Sequence, residues 1–378
     1  MKEIPNLQPF VSGFGSEFQN KERLDAENYL EWFRQEFDQQ LLLFLEEKKK
    51  EATEINPEAA ALVDEIIRFS LNGGKRVRPA FVYSGYVASG GRAHDSILYA
   101  CMAVELLHVF ALMHDDIIDN SDLRRNQLTT HKQFEKTHQQ RKLQGNPKEY
   151  GLSSAILAGD LALSFAEEVL TSAPFPQERL RRARYFFDQM KTQVIYGEYL
   201  DVLGGYKKSL TEDEVLQILE YKTAKYTVER PLHIGAMLAG ADYKVLETFT
   251  AYGIPFGQAF QMQDDIVGTF GSEDEIGKPN DSDIKEGKKT LLLAKALERA
   301  NTRQKKLLTK VVGNKQSSKE EIDQVGKIMK ATGAYDYCIK LSMRLLEQSR
   351  QALSGVKLSS EGSDYLLAAV DYLERRFN

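Results

Sequence analysis

The sequence predicts an all-α protein. Apolar residues recur at steps of three and four, which is the spacing of one helix face. Near the N-terminus these residues are Leu30, Phe33, Phe37, Leu41 and Phe44. Near the C-terminus they are Leu366, Val370, Leu373 and Phe377. We find no run of alternating apolar and polar residues bounded by turn residues, the pattern that predicts a strand.

Length and composition bound the class of protein. The chain has 378 residues, of which 42% are hydrophobic and 28% charged, so global disorder is excluded. The chain has 50 basic and 55 acidic residues. A protein that coats nucleic acid would be expected to be basic, so that class is not expected here. The cysteines Cys101 and Cys338 cannot form a disulfide scaffold and fit a reducing cytosol. No apolar stretch reaches the roughly 18 to 20 residues of a membrane span, so we expect a cytoplasmic protein without a membrane anchor.

The chain is predicted to form a single domain over residues 1–378. No long stretch is rich in glycine, proline and serine, as an inter-domain linker would be. We expect the first 20 residues to be loosely ordered, since residues 12–19 contain two glycines and show no clear period.

One predicted helix differs from the others. Residues 97–113 are apolar almost all round, which indicates a helix enclosed by other helices. Glu105 and His108 lie within it, and burying such groups without partners is costly. We therefore expect each of these two side chains to have a structural or functional partner.

A DDxxD motif ends this helix. Asp115 and Asp119 are four residues apart and share a face, with Asp116 about 100° to the side. A divalent cation would remove the repulsion between these carboxylates, and oxygen ligands select magnesium over zinc. The alternative is a solvated acidic helix end that binds no metal.

A second acidic pair, Asp264 and Asp265, also follows a mostly apolar stretch. Gln261 precedes it by three and four residues and so lies on the same helix face. Two carboxylate helices that faced one another would hold several divalent ions. Such a site suits a polyphosphate, because magnesium prefers a few carboxylates together with phosphate oxygens and water.

Basic residues cluster close to both acidic motifs. The first cluster is Gly73-Gly74-Lys75-Arg76-Val77-Arg78-Pro79. The others are Arg124 and Arg125; Lys222, Thr223 and Lys225; and Lys278, Lys285, Lys288 and Lys289. Each cluster alone could be a surface loop or a set of ion pairs. Together they indicate a diphosphate site better than a nucleic-acid groove, where the carboxylates would repel.

The ordered motifs resemble those of the trans-isoprenyl diphosphate synthases, the polyprenyl synthetase family. They read GGKRVRP, ELLHVFALMHDDIID, RR, GLSSAILAGD, YKTAKYT, FQMQDDIVG, GK and GKKT, and run from about Gly73 to Thr290. The resemblance, strongest to geranylgeranyl diphosphate synthases, implies the isoprenoid synthase fold. In that family the fold has about a dozen helices around a deep central cavity, usually in a homodimer.

The resemblance also implies roles for individual residues. Isopentenyl diphosphate would be bound by Lys75, Arg78, His108 and Arg125. Magnesium, three ions with substrate bound, would be held by Asp115, Asp119 and Asp264, supported by Asp116. The allylic diphosphate would be surrounded by Arg124, Lys222, Thr223, Gln261, Lys278 and Lys288. We interpret three further motif residues as structural: Glu105, His131 and Asp160.

The implied reaction is prenyl transfer. Magnesium and basic residues would stabilise the diphosphate that leaves dimethylallyl, geranyl or farnesyl diphosphate. The double bond of isopentenyl diphosphate would attack the resulting carbocation, and a proton would be lost. The residues expected to carry this chemistry are Asp115, Asp116, Asp119, Arg124, Lys222, Asp264 and Asp265.

Product length is predicted from the residues before the DDxxD motif. Phe110 and Ala111 lie five and four residues before Asp115. In the family this pattern, with a single aromatic at the fifth position, goes with geranylgeranyl products. Helical projection puts Phe110 about 140° from Asp115, so an ordinary core role stays open. Farnesyl and longer products are the alternatives.

Two departures from the family pattern and two rival functions remain open. Gly268 stands where many members have a third aspartate, and residues 132–150 form a long polar stretch that we interpret as a lid or an interface loop.

A terpene cyclase would not need GGKRVRP and His108. A non-catalytic regulatory subunit of a heteromeric synthase would be expected to lack parts of the first motif.

Overall fold

The computed structural model describes residues 26–92, 96–271 and 282–377, which are almost wholly helical. The first helices are α1 Ala26–Ile55, α2 Ala60–Leu71, α3 Val77–Ala88, α4 Ile97–Ile118, α5 Thr130–Gln140, α6 Pro147–Thr171 and α7 Gln177–Gly205. Then come α8 Glu212–Ile218, a π-helix Leu219–Glu229, α9 Arg230–Ala239 and α10 Tyr243–Phe270. The last are α11 Ser282–Glu286, α12 Leu291–Arg299, α13 Thr302–Val311, α14 Lys319–Ala331, α15 Ala334–Ala352, the 3₁₀ turn Leu353–Gly355 and α16 Ser360–Phe377. The all-α prediction is confirmed.

The chain divides into two compact units. Among the described residues, the first unit contains those up to Arg184 together with Ile234–Ala241 and Ser359–Tyr365. The second contains Tyr185–His233, Asp242–Leu358 and the residues from Leu366 onward. The single domain over residues 1–378 stays a prediction, and the first 20 residues lie outside the described part.

Helix α1 packs into the first unit along its apolar face. Phe33, Phe37 and Leu41 have no exposed surface, as their spacing predicts. The ring of Phe33 lies 5.5 Å from that of Phe37 and 5.7 Å from that of Tyr83 on α3. Burying such aromatic side chains stabilises each by about 1.5–3 kcal/mol, so α1 is firmly held.

Helix α4 is the enclosed helix that the sequence predicts. It packs against α3 and α6, and nearly every residue from Ile97 to Val109 is buried. By length and composition alone, α4 is apolar enough to cross a membrane, which differs from our expectation for the sequence. Of its most apolar window, 67% is buried inside the protein, as in the core helices of soluble proteins.

A short hairpin follows α4. Strands β1 (Leu123–Arg124) and β2 (Gln127–Leu128) pair antiparallel. The turn residues Arg125 and Asn126 both have positive φ, 49° and 60°, as a two-residue turn that matches strand twist requires. Strands of two residues are too short to show alternation, which explains why the sequence pattern does not predict them.

Residues 132–150 are mostly helical, so their interpretation as a loop is wrong, while a role as a lid or at an interface stays a prediction. Helix α5 packs along α6, whose first turn begins at Pro147. Arg141, between the two helices, donates from Nη1 and Nη2 to the carboxylate of Glu58 at 2.7 and 2.8 Å.

In the second unit, α10 packs against the π-helix and α15. Two glycines of α10 allow the close approach to the π-helix. A β-carbon on Gly257 would lie 2.4 Å from Cα of Ala224, and one on Gly253 would lie 3.0 Å from Cα of Glu229. π-helices are rare and often mark functional sites, and this one carries Lys222 and Thr223.

Candidate active site

The glycine-rich loop between α2 and α3 takes a left-handed backbone at three residues. Gly73, Gly74 and Arg76 have φ of 73°, 112° and 52°. Lys75 is exposed, whereas Arg76, the N-cap residue of α3, is buried. The loop thus presents one basic side chain to solvent and turns the next one inward.

Arg125 holds this loop from the hairpin. Its Nη1 donates to the carbonyl oxygens of Asn72 at 3.0 Å and Gly73 at 2.8 Å. A β-carbon on Gly74 would lie 3.2 Å from both terminal nitrogens of this guanidinium, so the position favours glycine. The structure therefore brings Arg125 beside the GGKRVRP motif, with which the sequence grouped it.

Arg78 and His108 form a pair between α3 and α4. Nη1 of Arg78 lies 3.1 Å from Nε2 of His108. Burial, together with the charge of Arg78, lowers the pKa of His108 well below its ordinary value. The imidazole is therefore neutral. It accepts a hydrogen bond from Arg78 at Nε2 and carries its own proton on Nδ1.

His108 and the first acidic motif share a face of α4. Asp115 follows His108 by seven residues, which is two helical turns and about 10.5 Å along the axis. The basic pair and the carboxylates are thus positioned by one buried helix.

The DDxxD carboxylates make unequal contacts. Arg124 donates from Nε to Oδ1 of Asp116 at 2.8 Å and from Nη2 to Oδ2 of Asp115 at 3.0 Å. Asp116 is 1% exposed, and burial raises its pKa to about 6 in spite of Arg124. Asp119 is exposed at the C-terminal end of α4. Arg124 thus links Asp115 to Asp116 at the end of α4, where Asp119 is the C-cap residue. That Asp115 and Asp119 point together stays a prediction.

These carboxylates fit a hard divalent cation by their chemistry. Oδ2 of Asp116 is buried and has no hydrogen-bond partner, and all the donor atoms of the motif are oxygen. Within residues 26–92, 96–271 and 282–377, no three His, Cys, Asp or Glu side chains are grouped so as to hold a metal ion. Asp115 and Asp116 turn toward Arg124 in this arrangement.

Phe110, the predicted chain-length residue, contacts His114 one turn later on α4. Their rings meet edge to face at 4.7 Å, and Nε2 of His114 lies 3.7 Å from Oδ1 of Asp160 on α6. A β-carbon on Gly159 would lie 2.9 Å from that same nitrogen. Phe110 and Ala111 are both half-buried.

In the second unit, Lys222 is held by two acids of α7. Its Nζ donates to Oε1 of Glu198 at 3.0 Å and to Oδ2 of Asp201 at 2.6 Å. A β-carbon on Gly197 would lie 2.4 Å from the backbone nitrogen of Lys222, so the two helices touch here. Sequence reasoning missed Glu198 and Asp201. Their spacing of three residues places them on one helix face, but no local pattern pairs that face with Lys222.

The second acidic motif forms a hydrogen-bonded chain. Thr223 donates from Oγ1 to Oε1 of Gln261 at 3.0 Å, and Nε2 of Gln261 donates to Oδ1 of Asp265 at 3.1 Å. Asp265 is buried, whereas Asp264 is exposed. Gln261 and Asp265 thus lie on one face of α10 and share a hydrogen bond across one helical turn, while Asp264 is exposed beside them.

The remaining predicted residues are placed as follows. Lys288 is exposed, with Nζ 3.7 Å from Glu286, and Lys278 lies outside the described residues. His131 is buried, with Nδ1 3.3 Å from Oγ1 of Thr129. Glu105 accepts a bond from Arg76 at 2.6 Å.

Comparison with known protein families shows to which family the chain belongs. The family model described as polyprenyl synthetase matches residues 60–329, well over half of the chain. The chain belongs to the polyprenyl synthetase family. It is a prenyltransferase with the isoprenoid synthase fold.

Individual members of this family resemble the chain over most of its length. The geranylgeranyl diphosphate synthase of Sulfolobus acidocaldarius is 35% identical over 292 residues, which cover 77% of this chain and 83% of that protein. The corresponding enzyme of Methanosarcina mazei is 32% identical over 304 residues, 80% and 86% of the two chains.

The fold of this chain is also similar to that of a solved structure. The geranylgeranyl pyrophosphate synthase of Corynebacterium glutamicum, complexed with isoprenyl diphosphate and magnesium, superposes with a TM-score of 0.87. It is 34% identical and matches 93% of this chain and 100% of its own. Polyprenyl synthetase membership and this complex support isoprenyl diphosphate substrates and a divalent-metal requirement.

Proposed function

We propose that this polyprenyl synthetase condenses isopentenyl diphosphate with allylic diphosphates and makes geranylgeranyl diphosphate. The observation that carries the proposal is the arrangement along α4. A neutral His108 paired with Arg78 stands on the same face as the DDxxD carboxylates. A site for an acceptor diphosphate beside an ionising motif serves condensation, whereas a terpene cyclase would need only the ionising motif.

Isopentenyl diphosphate would be bound by the first unit. Lys75 and Arg78 supply positive charge, and Arg125 adds charge while holding the loop carbonyls. His108, kept neutral, donates from Nδ1 and adds no charge of its own. Guanidinium groups suit this ligand because their planar fork matches the oxygens of a phosphate.

The allylic diphosphate would be bound by Arg124, Lys222, Thr223, Gln261, Lys278 and Lys288. Lys222 is oriented by Glu198 and Asp201, and Thr223 is oriented by Gln261. Side chains held in place before substrate arrives need little reorganisation as the leaving group gains charge, which favours ionisation. Arg124 is oriented in the same way by Asp115 and Asp116.

Magnesium would be held by Asp115, Asp119 and Asp264, with Asp116 in support, and we propose three ions with substrate bound. A bound cation would neutralise the charge that develops on the departing diphosphate. The exposure of Asp119 and Asp264 suits residues that meet a hydrated ion.

The product would be limited by Phe110. Its ring is held against His114, and a rigid aromatic side chain five residues before Asp115 would stop a growing prenyl tail. The sequence relatives named geranylgeranyl diphosphate synthases agree with this length.

We propose a cytoplasmic homodimer without a membrane anchor. Each unit carries exposed apolar side chains, which favour association with a second copy of the chain. On α6, Ile156 and Leu157 are 44% and 57% exposed. On one face of α7 the exposed residues are Ile195, Tyr196, Tyr199 and Leu203. Sedimentation equilibrium of the full-length protein tests this; a monomer at micromolar concentration would contradict it.

A product assay tests the main proposal. The purified protein is incubated with radiolabelled isopentenyl diphosphate and each allylic primer in turn, with magnesium or with a chelator, and the dephosphorylated products are sized. We expect magnesium-dependent geranylgeranyl product, and none with the chelator. Farnesyl or longer products would keep the reaction and overturn the length. No incorporation with any primer would favour a regulatory subunit.

A further inference from the structure

Arg76 is the one basic residue of the GGKRVRP motif for which the resemblance implies no ligand. All three nitrogens of its guanidinium donate hydrogen bonds of 2.6 Å. Nε bonds Oδ1 of Asp38, Nη1 bonds Oε1 of Glu105, and Nη2 bonds the carbonyl oxygen of Ser70. The side chain is 1% exposed. Arg76 therefore bonds the protein itself and is turned away from any substrate in solvent.

The backbone of Arg76 explains why these bonds matter. Its φ of 52° lies in the left-handed region, which is strained for a residue with a β-carbon and is kept more readily where surrounding contacts hold it. The three bonds are those contacts. The same backbone turn reverses the side-chain direction at this point, so that Lys75 is exposed next to a buried Arg76.

The consequence reaches Arg78. Arg76 is the N-cap residue of α3, and Arg78 lies in the first turn of that helix with Nη1 3.1 Å from His108. If the Arg76 side chain loses these three hydrogen bonds, the first turn of α3 is no longer held in one orientation. Lys75 and Arg78 then no longer share one arrangement that suits a single diphosphate.

Asp38 is the anchor that comes from elsewhere in the chain. It lies on α1, before the first residue matched by the family model, and its side chain is 28% exposed. The preceding residue, Phe37, places its ring 6.0 Å from Cζ of Arg76. Because Phe37 is fully buried, α1 holds Asp38 at a fixed distance from the guanidinium.

We infer that Asp38, acting through Arg76, is a positioning residue that holds the GGKRVRP loop in the form that binds isopentenyl diphosphate. This inference rests on the function proposed above. It concerns how well the loop is ordered, since neither Asp38 nor Arg76 is placed to touch substrate. Removing the charge of Asp38 leaves a buried guanidinium with a weakened bond, which favours other loop conformations.

The test uses the full chain with Asp38→Asn, which keeps the shape of the side chain and removes its charge. We expect the KM for isopentenyl diphosphate to rise about tenfold, the usual effect of losing a hydrogen bond to a charged group. The KM for the allylic primer and kcat should stay within about twofold. Asp38→Glu, which restores the charge, should recover part of the loss.

Two matched variants complete the experiment. Glu54→Gln removes a charge from an exposed site on the same helix and should leave every constant unchanged. Lys75→Ala tests the loop itself and should raise the KM for isopentenyl diphosphate. Calorimetric binding of isopentenyl diphosphate to each variant reports on the loop even without turnover.

The outcomes separate the inference from the function on which it rests. If Lys75→Ala weakens isopentenyl diphosphate binding and Asp38→Asn does not, Asp38 is not a positioning residue. Equal changes in both KM values, or a loss explained by lowered thermal stability, also overturn it. If the wild-type protein shows neither turnover nor binding, the proposed function fails, and the inference fails with it.

Discussion

Nζ of Lys222 on the π-helix lies 2.6 Å from Oδ2 of Asp201 on α7, and 3.0 Å from Oε1 of Glu198 one turn earlier. Two carboxylates thus face one ammonium group whose side chain is 30% exposed. The two hydrogen bonds fix the direction of the ammonium group. Lys222 can then meet a phosphate without first being ordered.

Replacing Lys222 by Met should lower kcat/KM for the allylic primer about a hundredfold, the usual effect of removing one charge-stabilising donor. Asp201→Asn should cost less, about tenfold, because Glu198 still holds the ammonium group. Initial-rate kinetics with varied primer measure both. Lys207→Met is the control, since Lys207 makes an exposed ion pair with Glu214 and should change the rate less than about twofold. Equal losses in Lys207→Met and Lys222→Met would contradict the assignment.

Phe110→Ala should lengthen the product. The change removes the ring that packs on His114 and opens the space that we assign to the growing tail. Chromatography of dephosphorylated products measures the length. Leu98→Ala, a buried change on the same helix, should destabilise the protein by about 2–5 kcal/mol without altering product length. Unchanged products from Phe110→Ala would make this residue an ordinary part of the core.

Gly159→Ala should shift the product distribution through His114. The added methyl group would lie 2.9 Å from Nε2 of His114, so the imidazole must move, and Phe110 packs against that imidazole. We expect a mixture of chain lengths where the wild type gives one main product. Gly205→Ala, where a β-carbon meets no atom within 4 Å, is the matched control. A product distribution identical to that of the control would show that His114 does not transmit the change.

His233 should make the second unit sensitive to acid. It is 3% exposed, its Nε2 donates to the carbonyl oxygen of Leu246 at 3.0 Å, and its Nδ1 accepts from Arg230 at 3.1 Å. Burial lowers its pKa to about 4, against about 6.5 in the unfolded chain. As pH falls between these values, the unfolded state binds a proton that the folded state does not bind. The free energy of unfolding should therefore drop by roughly 3 kcal/mol over this window.

Urea unfolding at pH 7, 6, 5 and 4 measures this effect. The stabilising contribution is fully present above about pH 6.5 and is lost as pH approaches 4. His233→Gln should remove that part of the slope, and the difference from the wild type isolates it from other titrating groups such as Glu229. Parallel curves for the two proteins would mean that burial does not lower the pKa of His233 in the folded state.

Much of the first unit could be predicted because its signals are local. The spacing of Phe33, Phe37 and Leu41 predicts the buried face of α1, and the apolar run before His108 predicts that α4 is enclosed. The glycines of GGKRVRP predict the turn, which the structure shows as positive φ at Gly73 and Gly74. Each of these features depends on residues only a few positions apart.

The features that were missed depend on distant partners or on unusual backbone. Asp201 is 21 residues from Lys222, and Asp38 is 38 residues from Arg76, so no local pattern links them. The π-helix that carries Lys222 contains no glycine or proline that would mark an unusual backbone in the sequence. Ion pairing was one alternative for Arg124 from the sequence, but that its partners are Asp115 and Asp116 depends on the hairpin.

Helix α1 also bears on where the protein can be cut for laboratory work. A shortened version that began at residue 60, where the family match starts, would keep every signature motif. It would also uncover Tyr83 on α3, which packs against Phe33, and would leave Arg76 without Asp38. Such a fragment would be prone to aggregate, and its loss of activity would be mistaken for a defect in the motifs.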